Sequence, residues 1–484
     1  MSDQRKIVLL KQAAYVDGSW VGSDQKERIE VLNPADQSVI GSVPDMGKQD
    51  VISAVESAEK ALPEWSKMLA TERQGVLEKW HDLIVENIDE LVQILTLEQG
   101  KPHKEARGEI LNGASFIKWY AEEGRRVYGD VIPPSAGNQR IVVLKQPVGV
   151  CAMITPWNFP SSMITRKAAT ALAAGCPVIV KPSELTPFSA LALAELADQA
   201  GFPKGVFNVV TGDAATVGDV LTKHEDIKKF SFTGSTRVGK MLIAQCASTV
   251  KKVSMELGGN APFIVFEDAD IKAAVDGVIA SKFRNVGQTC ICANRIFVHK
   301  GIFDNFMELF VEKTKALKVG DGQDDKTDIG PMIYEKAVEN TLDLVKDALD
   351  KGAKLHCGGS ARKDMGPQFI EPTVISDVND TMRCFNEEIF GPLAAVYVFE
   401  SVQDVVKQAN DTEYGLAAYI YTNDLKTSWE VAEKLEYGMV GVNSSLLSTA
   451  QAPFGGVKHS GMGREGSKYG LDDYIVTKYM SVQF

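Results

Sequence analysis

A chain of 484 residues is longer than a single hydrophobic core usually supports, so two or three domains are expected. Its 44% hydrophobic and 24% charged residues are ordinary globular proportions and exclude a disordered chain. A net charge of −12 with no basic block excludes an electrostatic footprint for nucleic acid or anionic lipid.

The opening residues are charged, and the apolar run at 7–10 stops at Lys11, too short for a signal-peptide core. No apolar stretch is long enough to span a bilayer. The seven cysteines are odd in number and form no CxxC pair, which argues against a disulfide framework or a zinc site, so no metal is expected. Together these features predict a soluble, cytoplasmic protein with no membrane partner.

In chain order, Tyr15-Val16, Asp17-Gly18 and Trp20-Val21 predict a hairpin. Apolar residues recur at helical spacing over 48–62 and again over 71–98, where one helix is expected to end at Gly100-Lys101-Pro102. A further helix is expected over 105–120. A turn-rich stretch at 128–139 precedes strand-like pieces at 140–145 and 148–154. From there the pattern alternates strand and helix: 150–154 with 161–174, 178–180 with 187–200, 206–210 with 214–221, and 229–232 with 236–247. Such alternation implies a parallel sheet covered by helices, the usual frame for a dinucleotide.

A second α/β series follows Gly258-Gly259, with helices over 272–283, 303–316 and 336–351 and strands near 295–298 and 394–399. The tail at 474–484 reads as a lone strand, the kind that pairs with another subunit. The division expected is a nucleotide-binding domain from 1–124 and 148–257, a catalytic domain from 258–462, and an oligomerisation arm from 125–147 and 463–484.

Chemistry concentrates around 285–295. Cys290, among small and polar residues just after a helix, suits a core poorly and could have its thiol activated by backbone dipoles, whereas most cysteines are simply buried. Glu256, between an apolar strand and two glycines, would be partly desolvated and able to serve as a base, unless it is a surface residue at a strand end. Gly234-Ser235 opens a helix directly after a strand, where backbone N–H groups suit a pyrophosphate, although the spacing is not GxGxxG.

Seven motifs then fall in one order: Pro156-Trp157-Asn158-Phe159-Pro160, Lys181-Pro182-Ser183-Glu184, Phe232-Thr233-Gly234-Ser235-Thr236, Glu256-Leu257-Gly258-Gly259, Gly287-Gln288-Thr289-Cys290, Glu387-Glu388-Ile389-Phe390-Gly391-Pro392 and Pro453-Phe454-Gly455-Gly456. Through them the chain resembles the aldehyde dehydrogenase superfamily over its full length, and within it the succinate-semialdehyde and glutarate-semialdehyde dehydrogenases. The resemblance implies a Rossmann-type parallel-sheet domain, an α/β catalytic domain and a β oligomerisation arm.

It also implies roles. The Cys290 thiolate adds to the aldehyde carbon, and the Asn158 amide with the Cys290 N–H holds the oxyanion. Glu256 activates the water that hydrolyses the thioester. Trp157, Lys181, Ser183, Glu184, Gly234, Ser235, Leu257, Glu388 and Phe390 hold the cofactor, NAD in preference to NADP because Glu184 would repel a 2′-phosphate. Arg166 and Arg295 bind the far carboxylate of the substrate, with Ser448 a third contact, unless the arginines form structural ion pairs. Cys292 is a candidate redox partner for Cys290. A homodimer or homotetramer is implied.

Other readings stay open at this stage. An enzyme for an aliphatic or amino aldehyde would find two arginines opposed to its substrate. A CoA-acylating enzyme would usually lack Glu256. A non-catalytic protein on the same fold would be free to lose Cys290 or Glu256.

Overall fold

In the computed structural model the described residues are 7–22, 24 and 27–484; the charged residues Met1 to Lys6, on which the expectation of no signal peptide partly rests, lie outside them. The chain opens with the expected hairpin, β1 (Ala14–Val16) and β2 (Ser19–Val21), and a ribbon of β3 (Arg28–Leu32) with β4 (Val39–Pro44). Four helices follow: α1 (Lys48–Lys67), α2 (Ala70–Glu86), α3 (Ile88–Gln99) and α4 (His103–Glu123). The single helix expected over 71–98 is thus two. Asn87 divides them, closing α2 and opening α3, with its side-chain amide turned back onto the Leu83 carbonyl at 2.8 Å. An asparagine that bonds its own backbone competes with helix continuation.

A hairpin of β5 (Asp130–Ile132) and β6 (Gln139–Pro147) leads into the alternating series. Its elements are β7 (Val150–Ile154), α5 (Ser162–Ala174), β8 (Val178–Lys181), α6 (Phe188–Ala200), β9 (Phe207–Val209), α7 (Ala214–Lys223), β10 (Ile227–Thr233), α8 (Thr236–Cys246) and β11 (Lys252–Glu256). The second series runs β12 (Ala261–Val265), α9 (Ile271–Lys282), β13 (Ala293–His299), α10 (Phe303–Ala316), α11 (Glu335–Asp350), β14 (Lys354–Cys357) and β15 (Thr373–Ser376). It continues through α12 (Arg383–Asn386), β16 (Leu393–Phe399), α13 (Val402–Asn410), β17 (Ala417–Tyr421), α14 (Leu425–Lys434) and β18 (Met439–Val442). The chain closes with β19 (Gly461–Met462) and β20 (Ile475–Gln483).

These strands make one sheet in the order β19-β11-β10-β7-β8-β9-β1-β2 and another in the order β14-β15-β16-β13-β12-β17-β18. The central strands of both are parallel and buried on both faces, which is why they read as continuous apolar runs rather than alternating ones. In the first sheet β8 and β9 lie on one side of β7, and β10 and β11 on the other. Strand order reverses there, and the crevice at the carboxyl ends of strands beside such a switch is where open α/β sheets bind ligands.

The tail strand is not lone. β20 pairs antiparallel with β6 from Ile475↔Pro147 to Gln483↔Gln139, so the arm is a three-stranded sheet made within one chain. Val131, Tyr479 and Phe484 on it are largely exposed. Among the described residues no helix is long and apolar enough to cross a membrane, and no group of three or more His, Cys, Asp or Glu could hold a metal.

Candidate active site

The loop after β7 carries Asn158, β11 ends on Glu256, and the short helical turn Arg284–Gly287 leads into Cys290. That turn is strained. Asn285 (φ 51°, ψ 38°) and Val286 (φ 58°, ψ 26°) are both left-handed, a conformation costly for a β-branched residue (~1–3 kcal/mol) and kept only where the surroundings enforce it. Here they do. The Asn285 N–H donates to Glu105 Oε2 at 2.8 Å, and its side chain accepts from Gln99 at 2.9 Å and donates to the Asn158 carbonyl at 3.0 Å.

The Asn158 backbone is held from a second direction. Lys101, fully buried, donates to the same carbonyl at 2.7 Å and pairs with Glu109 at 2.6 Å, while Glu109 accepts the N–H groups of Ser161 and Ser162 that open α5. One N–H of the Asn158 amide goes to the Gln288 carbonyl at 3.0 Å, and its Oδ1 has no protein partner. An amide pinned by one hydrogen keeps the other to offer at a fixed angle.

Cys290 opens onto a cavity of about 360 Å³ whose walls include Met163, Arg166, Arg284, Ser448 and Phe454. No other thiol lines it. Burial, and then the nearby Glu388 carboxylate, push the Cys290 thiol up to about 12. Glu256 is 3% exposed and neither of its oxygens has a protein hydrogen-bond partner. Burial first, and the Glu465 charge second, hold its carboxyl well above the ordinary range. Burial would raise Glu465 too, but Lys167 and Arg166 beside it outweigh that and hold it low. Lys167 bonds Glu465 and lies 3.1 Å from Ser231 Oγ. Two carboxyls whose environments push them apart are a usual basis for dividing acid and base duties.

Of the two arginines expected to bind a substrate carboxylate, Arg166 lines the cavity. Its Nε lies 2.8 Å from Glu465, out of line for a hydrogen bond, its plane lies over Phe454 at 4.1 Å, and Nη2 has no protein partner. Arg295 does not line it. It is fully buried in the central strand β13, where its guanidinium donates to the carbonyls of Gln408, Asn260 and Ala409 and to the Tyr437 hydroxyl. Only its Nε is without a partner, and that atom is buried away from the cavity. A guanidinium whose Nη groups are spent on three carbonyls and a hydroxyl is a structural strut, so the carboxylate role expected of Arg295 is withdrawn. The residue the sequence reading missed is Arg284, six before Cys290, which lines the cavity with Nε unpartnered. Ser448 lines it too, hydrogen-bonded to Asn112.

Of the residues expected to hold the cofactor, Lys181, Gly234, Ser235 and Leu257 lie at or just past the carboxyl ends of β8, β10 and β11. Lys181 ends β8 and pairs with Glu184 at 2.7 Å; Ser183 Oγ accepts from the Leu185 N–H at 3.3 Å. Gly234-Ser235 precede α8, where Ser235 Oγ caps the Val238 N–H and the other leading amides are left for an anion. Leu257 is buried against Gly239 of α8. Glu388 accepts from the Gly259 N–H at 3.0 Å, and burial raises its carboxyl to about 7. A Cβ on Gly258 would meet Glu388 Oε2 at 2.6 Å, so a side chain there would displace the carboxylate. Trp157 packs edge-on against Phe390, ring centres 5.7 Å apart. A helix N-terminus for the pyrophosphate, carboxylates for ribose hydroxyls and an aromatic edge fit a nicotinamide dinucleotide. Cys292 is free and buried, its Sγ turned to the Lys282 carbonyl at 3.4 Å rather than into the cavity.

Comparison with known proteins gives the family. The chain belongs to the aldehyde dehydrogenase family, whose model matches residues 20–480. It is accordingly an oxidoreductase that oxidises an aldehyde with NAD(P). It is 53% identical to the succinate-semialdehyde dehydrogenase [NADP(+)] of Escherichia coli (strain K12), over 98% of either chain. It is 52% identical to the glutarate-semialdehyde dehydrogenase of Pseudomonas aeruginosa, again over 98% of both. Among solved structures, the succinate-semialdehyde dehydrogenase from Burkholderia pseudomallei superposes with a TM-score of 0.98, at 52% identity and full coverage of both chains.

Proposed function

We propose that the chain oxidises succinic or glutaric semialdehyde to the dicarboxylic acid. The observation that carries this reading is the pair of guanidiniums, Arg166 and Arg284, on the walls of a cavity that Cys290 also lines. A short aldehyde with a carboxylate at its far end satisfies both at once. Arg284 gives the clean test, because Arg166 also holds Glu465. Arg284→Ala should lower kcat/KM for succinic semialdehyde about 10- to 100-fold relative to butanal, since a hydrogen bond to a charged group is worth ~1.5–3 kcal/mol. Steady-state NADH formation with both aldehydes measures it. An unchanged ratio would leave the carboxylate reading without support and favour an enzyme for another aliphatic or amino aldehyde.

In this reading the Cys290 thiolate attacks the aldehyde carbon, and the free N–H of Asn158 and the Cys290 N–H donate hydrogen bonds to the oxygen as negative charge grows on it. The nicotinamide, when bound, supplies the hydride acceptor. Glu256, poised without partners, then takes a proton from the water that cleaves the thioester.

Lys181, Ser183, Glu184, Gly234, Ser235, Leu257, Glu388, Phe390 and Trp157 are the cofactor residues of the proposal. NAD is the preferred form, because Lys181 stands among three carboxylates, Glu184, Asp213 and Asp45, a poor setting for a 2′-phosphate. Glu184→Ala should raise kcat/KM for NADP relative to NAD by about tenfold, the ~1.4 kcal/mol of one repulsive contact. If wild type already prefers NADP, the preference for NAD is wrong. Ser448 is a third substrate contact in the same reading, and Cys292 remains a redox candidate whose side chain must first turn toward Cys290. The exposed apolar residues of the β5-β6-β20 sheet make it the proposed arm of a homodimer or homotetramer, beside nucleotide-binding (1–124, 148–257) and catalytic (258–462) domains, in a cytoplasmic enzyme.

A further inference from the structure

One wall of the cavity is a single helix face. Glu105, Gly108, Glu109 and Asn112 of α4 all line it, at the three- and four-residue spacing that puts side chains on one side of a helix. The three polar ones are already engaged. Glu105 holds the Asn285 N–H, Glu109 holds Lys101 and the start of α5, and Asn112 donates to the Ser448 carbonyl at 3.1 Å. Only at Gly108 does the wall present no side chain.

The glycine has no packing reason to be there. Five residues on, Gly113 shows what such a reason looks like: a Cβ would come within 2.7 Å of Thr165 Oγ1 and 3.1 Å of Ser162 Cα, because α4 and α5 press together. At Gly108 a Cβ would meet nothing within 4 Å, and its φ is not left-handed. Glycine in a helix interior weakens the helix. Gly108 is exposed and lines the cavity, so the space a side chain there would fill is on the cavity's solvent-facing side.

The cavity is also generous for the smaller candidate substrate. Roughly seven non-hydrogen atoms, at the ~30 Å³ that a water claims in the liquid, come to about 200 Å³. The cavity of about 360 Å³ exceeds that.

We propose that Gly108 sets the chain-length specificity of the enzyme: the missing side chain on the α4 wall admits the five-carbon semialdehyde alongside the four-carbon one. This rests on the carboxylate reading of the site. The longer chain must bow outward between Cys290 and the arginines, and Gly108 leaves the room for the bow. A leucine there would project into the cavity and squeeze the longer chain first.

The test measures kcat and KM for succinic, glutaric and adipic semialdehyde and for butanal, in wild type, Gly108→Ala and Gly108→Leu, with thermal melting of each. Wild type should use the five-carbon aldehyde within tenfold of the four-carbon one. Gly108→Leu should lower that ratio by tenfold or more, through KM, without a lower Tm, and Gly108→Ala should fall between. A ratio unmoved in Gly108→Leu, or a wild type that rejects the five-carbon aldehyde a hundredfold, overturns the proposal. A wild type that prefers butanal to every semialdehyde sinks the carboxylate reading and takes this inference with it.

Discussion

Cys290→Ala is expected to lower kcat by about 10⁴-fold or more, the scale on which removing a covalent nucleophile acts. No second thiol lines the cavity, so nothing can stand in for it. NADH formation measured on a variant with an unchanged melting temperature checks this; a residual rate within a hundredfold of wild type would mean the chemistry runs elsewhere. The thiol also sets a pH expectation. Burial and the Glu388 charge place it near 12, so at neutral pH it is protonated. Alkylation by iodoacetamide in the absence of cofactor should then be slow at pH 7 and rise about tenfold per pH unit through pH 9, because only the thiolate reacts. A rate already flat above pH 7 would contradict an unactivated thiol.

Glu256→Gln should separate the two halves of the reaction. The amide keeps the shape of the carboxylate but takes no proton, so the thioester forms and then persists. One equivalent of NADH per site is expected in a burst, followed by a steady rate about 10²–10⁴-fold below wild type. Rapid mixing resolves the two phases, and loss of the burst together with the steady rate would assign Glu256 to the first step instead. In the wild type the same base must be ionised to work. Its carboxyl is raised by burial and by Glu465, so kcat should fall as pH drops through a value well above the usual carboxylate range. A burst should emerge on that acid side, where hydrolysis has become the slow step.

Much of this was legible in the sequence, for reasons that differ from element to element. The parallel strands announce themselves because burial on both faces leaves continuous apolar runs such as 178–180 in β8. The break at Asn87 escaped, since the apolar spacing of α2 continues into α3 and one side chain ends the helix. The two arginines show the sharper limit. Arg295 and Arg284 stand five and six residues from the nucleophile on opposite sides, and spacing along the chain does not separate them. What separates them is that β13 runs through the centre of a sheet, while Arg284 begins the strained turn before Cys290 and lines the cavity. Lys167 did leave a signal. A tandem Arg-Lys inside α5, all of whose 13 residues are buried, demands a buried counter-charge, but no rule of spacing names Glu465, some 300 positions away.

The origin of that counter-charge bears on how the enzyme is made. Glu465 lies between β19, which joins the edge of the first sheet, and β20, which zips onto β6. On a ribosome, α5 emerges long before this segment exists. Until the last strands dock, Lys167 and Arg166 would stand in an apolar groove without their carboxylate, and an unpaired charge is costly to bury. The nascent chain therefore has reason to keep α5 loosely packed until the end of synthesis. Docking of 461–483 would then close the edge of the first sheet and bring Arg166 and Lys167 their carboxylate in one event.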